Sequence, residues 1–385
     1  MSEIYGVLTK LIQKEICGLS DVVISPDAIT PEAAKTLYSI SSAHDVSHIV
    51  GQALLSLGAK MPEETEAAFK KSVSLAMYRY LQTKRELSAL KETLEDGKIP
   101  YIVLKGSVLR DYYSEPWMRT SCDIDILIKS CDISRATELL TSELDYKFEG
   151  RASHDVSLFS PSGIHVELHF SLIEEGESAK TFDDIWNSDL IVGVSDYGYA
   201  MTPETFLTYH VAHMAKHFNG GGCGIRPFID LWILESKMPY DKDKLFALLS
   251  SCGLNAFYDA ARLLSFVWLS DVAHTNLTLA MESYVMGGGV YGTIENRVTI
   301  RQRKNGGKFR YILGRIFLPY RKLKRIYPRL EKYPFLLPYY EARRWVTFLV
   351  RGNKSRALSE ISYTASVSED KSVELATLMQ ELGLN

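Results

Sequence analysis

The run CDIDILIK at residues 122–129 places two carboxylates, Asp123 and Asp125, one residue apart among Ile124, Ile126, Leu127 and Ile128. Burying carboxylates in such company is costly unless a cation or a set of donors meets them. In a strand, alternate side chains point the same way, so the aspartates share one face and Ile124 and Ile126 take the other. Paired carboxylates are a hard-oxygen ligand set, suited to Mg2+ or Mn2+ held jointly with substrate phosphates. Two such ions clamp an in-line phosphoryl or nucleotidyl displacement. Upstream, Lys105, Gly106 and Ser107 follow the apolar run YIVL, where a strand turning into a short helix offers backbone N–H groups and a hydroxyl to phosphate oxygens. Either motif alone is more often structural. Their order, with a further acidic strand residue downstream, favours a site for metal and phosphate.

Lys105 and Arg119 are the cations near this site in sequence. Each suits a phosphate contact or an ion pair with an aspartate, and phosphate contact is the favoured reading. In IHVELHF the alternation recurs, with His165, Glu167 and His169 on one face and Val166 and Leu168 on the other. A carboxylate at Glu167 can ligate a metal or take a nucleophile's proton. His169 either orients Glu167, contacts a phosphate or is a half-exposed strand residue, and the last is the expectation for His165. His210, His213 and His217 share one face of the helical run TYHVAHMAKHF. No cysteine or carboxylate at a known spacing completes a zinc site there, so packing or pocket lining is expected. Asp230, a charge inside the apolar RPFIDLWIL, needs a partner, and Arg226 one turn earlier is the expected one.

The elements that must position these residues follow from hydrophobic period. The segment from Pro62 to Gly97 has acidic residues in its first turn and apolar positions at helical spacing, which predicts one long helix stopped by Gly97. YIVLKG, CDIDILIK and the two halves of VSLFSPSGIHVELHF read as strands, the last two joined at Pro161-Ser162-Gly163. Asp132 is placed to cap a helix over ISRATELLTSELDY. From Thr202, with Pro203 at the first helical position, the pattern is helical again. The expected fold is α+β. A small mixed sheet within residues 96–198 forms the catalytic core, between an N-terminal helical region (1–95) and a C-terminal helical domain (199–385).

The combination LKGS…R…DIDILI followed by SHDVSLFSPSGIHVELHFSL resembles the nucleotidyltransferase-fold superfamily that includes DNA polymerase beta and kanamycin nucleotidyltransferase. More closely it resembles the bacterial family described as uncharacterised nucleotidyltransferases. TPETFLTYHVAHMAKHF…RPFIDLWIL and YPFLLPYYEARRW also look like that family's later segments, and the likeness covers most of residues 70 to 350. It implies a small mixed sheet bearing Gly106 and Ser107 as the phosphate turn, Asp123 and Asp125 as metal ligands and Glu167 as the third carboxylate. It further implies an acceptor-side or interdomain role for His210, His213 and Asp230. The interval 108–122 between turn and first aspartate is longer than in many superfamily members. The expected activity is transfer of a nucleoside monophosphate from a nucleoside triphosphate to a hydroxyl, phosphate or amine. The acceptor, whether small molecule, peptide, protein or RNA, is left open by the sequence. A non-catalytic nucleotide- or RNA-binding regulator is the alternative.

Composition narrows the remaining classes. The chain has 46% hydrophobic and 24% charged residues and a net charge of −3, values ordinary for a globular protein. No apolar run approaches the roughly 20 residues a membrane span needs, and the amphipathic N-terminus lacks the basic flank of a secretion signal, so a cytoplasmic protein is expected. Five scattered cysteines, none in C-x-x-C spacing, disfavour a disulfide framework or zinc knuckle. The basic, aromatic-rich segment 297–332 fits RNA, another polyanion, an anionic membrane surface or a solvated helical face. The solvated face is the leading reading, and nucleic acid is possible but not favoured.

Overall fold

A computed structural model of the chain describes residues 2–18, 24–26, 29–173, 176–270, 272–290, 292–304, 310, 317–351 and 369–384. The N-terminal helices are α1 (Ser2–Cys17), α2 (Pro31–Ala43), α3 (Ser47–Ser56) and the long α4 (Glu63–Asp96). Then come β1 (Tyr101–Val103), the short helix α5 (Lys105–Leu109), β2 (Asp123–Ile128), α6 (Ile133–Glu143), β3 (Lys147–Arg151), β4 (Asp155–Phe159) and β5 (His165–His169). After α7 (Glu177–Phe182), β6 (Ile191–Gly193) and β7 (Gly198–Met201) complete one seven-stranded sheet in the order β3-β4-β5-β2-β1-β7-β6. Helices α8 (Pro203–Phe218), α9 (Arg226–Lys237), α10 (Lys242–Ser251), α11 (Asn255–Leu269), α12 (Asn276–Met286) and α13 (Ile294–Lys304) follow. The fold is α+β with helical flanks, and the sheet is mixed: β2 runs parallel to β5 and antiparallel to β1.

The strand alternation sorts side chains onto two faces. Ile124, Ile126 and Ile128 of β2, Val156 and Leu158 of β4, and Val166 and Leu168 of β5 pack in a core with Leu90 and Leu94 of α4 and Ile133, Ala136 and Leu140 of α6. Burying each of these larger side chains contributes about 1.5–3 kcal/mol. A second, larger core joins residues of α1–α3 to those of α8–α12, and it takes in Leu127 from the opposite face of β2. The sheet thus meets an apolar core on each side, and the side toward the larger core also carries the polar alternates of β2 and β5.

Three short strands, β3, β6 and β7, were not anticipated. β3 is largely exposed and irregular at Phe148/Gly150, and β6 is a three-residue edge, so neither carries a strong apolar alternation. Thr202 caps α8 through Thr205 N, with Pro203 in the first turn, as the sequence predicts. One local expectation is corrected: Asp132 stands before α6 without a side-chain cap bond, and its carboxylate meets Arg135 at 3.3 Å instead. α4 ends at Asp96 with Gly97 next, as the sequence predicts, and the left-handed residue that turns the chain is Lys98 (φ 52). A Cβ on Gly97 would lie 2.3 Å from Leu139 Cδ2, so this glycine makes room for α6.

The loop between α5 and β2 is held from both helical flanks. Arg119 Nε donates to Asp230 Oδ1 of α9 at 2.7 Å, and Tyr113 OH donates to the same oxygen at 2.7 Å. His48 Nε2 lies 2.7 Å from Met118 O. Asp230 therefore has Arg119 as its partner, and the expected Arg226 pairs with Asp45 and donates to Thr120 O. The reason is geometric: Arg226 opens α9 at its outer end, whereas Asp230 faces inward, 1% exposed. Asp230→Ala strands a buried guanidinium and is expected to lower unfolding free energy by about 3–5 kcal/mol. Arg226→Gln breaks a partly exposed pair and is expected to cost on the order of 1 kcal/mol or less. Urea titrations of the two variants check the contrast.

Candidate functional site

The parallel register of β2 and β5 sets Asp123 beside His165, Asp125 beside Glu167 and Leu127 beside His169. All six point to the face opposite the isoleucines. On β4 the same face carries Asp155, opposite His169, and Ser157, opposite Glu167. Ligand atoms of Asp125, Glu167 and His169 all lie within 4.8 Å of one another. Among the described residues this is the cluster of three liganding side chains that the fold assembles. His169 Nε2 is 3.3 Å from Asp125 Oδ1 and 3.3 Å from Glu167 Oε2, and His165 Nδ1 is 3.6 Å from Glu167 Oε1.

Charge decides the protonation of this cluster. Burial pushes the Asp123 carboxyl above its ordinary value, and the carboxylates of Asp125 and Glu167 push it further. Burial acts the same way on Asp125, but the hydrogen bond and charge of His169 outweigh it and hold that carboxyl below its usual range. His169 loses from burial and gains more from Asp125 and Glu167, so its imidazole is raised to about 9. In the absence of a metal the imidazolium is the counter-ion of the acidic face.

The upstream motif closes over this face. Leu104 N donates to Asp125 O at 2.9 Å, so Lys105 starts α5 directly beside β2. Gly106 and Ser107 therefore lie inside the first turn of α5, one step further into the helix than the sequence suggests. Burial lowers the Lys105 ammonium to about 8 against the opposing pull of Asp125 and Asp123, and Nζ sits 5.5 Å from the centre of the Tyr209 ring on α8. Ser107 is 6% exposed, and its Oγ has no hydrogen-bond partner among the described residues.

Arg119 lies in the buried pair with Asp230 and also donates to Thr120 O, so the structure gives this cation protein partners. Burial works against its guanidinium, but Asp230 and Tyr113 more than offset this and raise its pKa. His210 is buried with Nε2 3.0 Å from Pro227 O, a contact between α8 and the start of α9. His213 and His217 face each other, Nε2 to Nε2 at 3.0 Å. Burial, reinforced by the Lys105 charge, lowers both, His217 to about 4, so at neutral pH one ring donates to the other.

Two residues at this site were missed. Arg110, 4% exposed, donates through Nε to Gly106 O at 3.3 Å and through Nη2 to Ser121 Oγ at 2.9 Å, and Ser121 Oγ in turn donates to Asp123 O at 3.1 Å. This chain ties α5 to the first residue of β2. A charge four residues after Gly106 in LKGSVLR was the available signal. Tyr209 roofs the face; burial, with Asp125 and Glu167 nearby, raises its phenol. Nothing in the spacing of α8 marked it.

The family model for uncharacterised nucleotidyltransferases matches residues 30–270, which include every residue of this site. The chain belongs to that family. Comparison with curated proteins and with solved structures gives no match. For an uncharacterised nucleotidyltransferase the general activity is nucleotidyl transfer, with a nucleoside triphosphate as donor, and the acidic and imidazole ligands form a candidate metal site. No helix among the described residues is long and apolar enough to cross a membrane.

His169→Gln removes the counter-ion and is expected to destabilise the metal-free protein by about 1–3 kcal/mol. Because the folded-state pKa of His169 lies above the ordinary 6.5, its stabilisation is full below 6.5 and is lost as pH rises through about 9. Thermal melts in chelator should therefore separate wild type from variant at the acidic end and converge at the alkaline end. Added Mg2+ should narrow the gap at the acidic end.

Proposed function

We propose that the protein transfers a nucleoside monophosphate from a nucleoside triphosphate to an acceptor hydroxyl, phosphate or amine. The observation that carries this reading is the convergence of Asp125, Glu167 and His169 within 4.8 Å, with Asp123 on the same strand face and α5 directly alongside. The arrangement supports the resemblance to the DNA polymerase beta and kanamycin nucleotidyltransferase superfamily. Domain limits near residues 95 and 198 belong to the same proposal.

The donor set suits a hard divalent ion: carboxylate oxygens clustered on one half-buried face, one of them with a raised affinity for protons in the ion's absence. Asp123, Asp125 and Glu167 would hold Mg2+ or Mn2+, which when bound neutralises the triphosphate and the charge developing on the phosphoryl oxygens. Ser107, with its buried unpaired hydroxyl, the backbone of Gly106 and the ammonium of Lys105 would receive the phosphates. The acceptor's nucleophilic atom bonds to the α-phosphorus as the bond to the bridging oxygen breaks. Pyrophosphate leaves, and Glu167, when it is not committed to the metal, takes the acceptor's proton. His169 orients Glu167 through the 3.3 Å contact. The face of α8 bearing His213, beside Tyr209 and Lys105, is assigned to the acceptor side.

Calorimetry should show triphosphate binding in Mg2+ and none in chelator; equal affinity in both would remove the metal assignment. In transfer assays with labelled triphosphates and a crude extract of small molecules, peptides and RNA, Glu167→Gln should abolish labelling, a loss of at least about 100-fold. It should weaken triphosphate binding less than Asp123→Asn or Asp125→Asn. Undiminished labelling by Glu167→Gln would exclude the proposed base.

A further inference from the structure

The segment Phe317–Arg351 lies outside the site. Its sequence carries nine lysines and arginines against two glutamates. The helices Tyr320–Ile326 and Leu337–Arg351 enclose a small core of Leu323, Leu330 and Tyr340, with Tyr327, Leu336 and Leu337 against it. That core accounts for the inward side chains. Outward, Phe335 is 75% exposed, Tyr339 58% and Val346 60%. Tyr339, Ala342 and Val346 recur at helical spacing on one exposed face of Leu337–Arg351, and Phe335 precedes Tyr339 by four residues in the turn that leads into the helix. Ile326 and Phe317 are exposed as well.

Phe335, Tyr339 and Val346 follow the basic segment 297–332, whose residues 305–309 and 311–316 lie outside the described ones, and their apolar surface is open to solvent. Base stacking needs flat rings, so it has no use for Val346 or Ile326. A second copy of the same surface would bring like charges together. A bilayer interface with anionic headgroups suits both features, because aromatic and aliphatic side chains enter the headgroup boundary while basic residues meet the lipid charge. We propose that Phe317–Arg351 docks the protein on the surface of an anionic lipid bilayer, with Phe335, Tyr339 and Val346 as the inserting residues.

The test is sedimentation of the full chain with sucrose-loaded vesicles of phosphatidylcholine alone, or of phosphatidylcholine and phosphatidylserine in equal parts. The expected result is binding to the anionic vesicles only, weakening as salt rises. The exposed-site double variant Phe335→Ser/Tyr339→Ser should bind roughly tenfold more weakly, with its melting temperature and Mg2+-dependent triphosphate binding unchanged. Absence of sedimentation, equal binding to both vesicle types or undiminished binding by the variant would overturn the proposal. Capture of single-stranded oligouridylate without vesicle binding would overturn it too, and would assign the surface to nucleic acid.

Discussion

Arg119 and Asp230 bury a full positive and a full negative charge against each other, the carboxylate 1% exposed, and neither tolerates the interior alone. Apolar packing of similar volume could hold two elements together as firmly. An ion pair with Tyr113 on the same oxygen adds direction, because it fixes how the 113–121 loop lies against α9. From that fixed loop the chain runs straight into β2. Arg110 and Ser121 then set α5 against the first residue of the strand, so the position of the acidic face is inherited from an interaction outside it.

The same loop gives a physical account of the long interval between Ser107 and Asp123. Its residues reach both helical flanks: Met118 contacts α3 and Thr120 contacts Asp45 just before it, while Arg119, Tyr113 and Thr120 contact α9, the last through Arg226. A shorter connection would join turn to strand but would reach neither helical flank. The extra residues make the sheet and the two helical regions interdependent, and the larger hydrophobic core runs through both regions without a break.

The features most legible in the sequence were those written in period. The Asp-x-Asp strand, the Pro161-Gly163 hairpin, the long α4 and the capped α8 each declare themselves through alternation, turn residues or capping chemistry. Glu167 and His169 could be placed on one face by alternation, but only pairing brings them to Asp125, and sequence does not state which strands pair. The partner of Asp230 was misassigned for a related reason: Arg226 is near in sequence, whereas Arg119 is 111 residues away. Arg110 and Tyr209 went unnoticed because burial, not residue type, gives them their part. β3 and β6 are edge strands with little to bury, and a strand without a buried face leaves little pattern to read.

The parallel pairing of β2 with β5 also constrains how the chain reaches its native state. Parallel neighbours cannot be joined by a hairpin, so the loop to be closed contains α6, β3 and β4, and its closure entropy is lost before the contact stabilises anything. Like-charged carboxylates meet at the moment the strands zip, which adds an electrostatic barrier at the slowest kind of step. His169 arrives on the same strand as Glu167 and takes up a compensating proton as Asp125 and Glu167 close around it. The sheet can therefore be completed in a nascent chain that has not yet met an ion or a nucleotide.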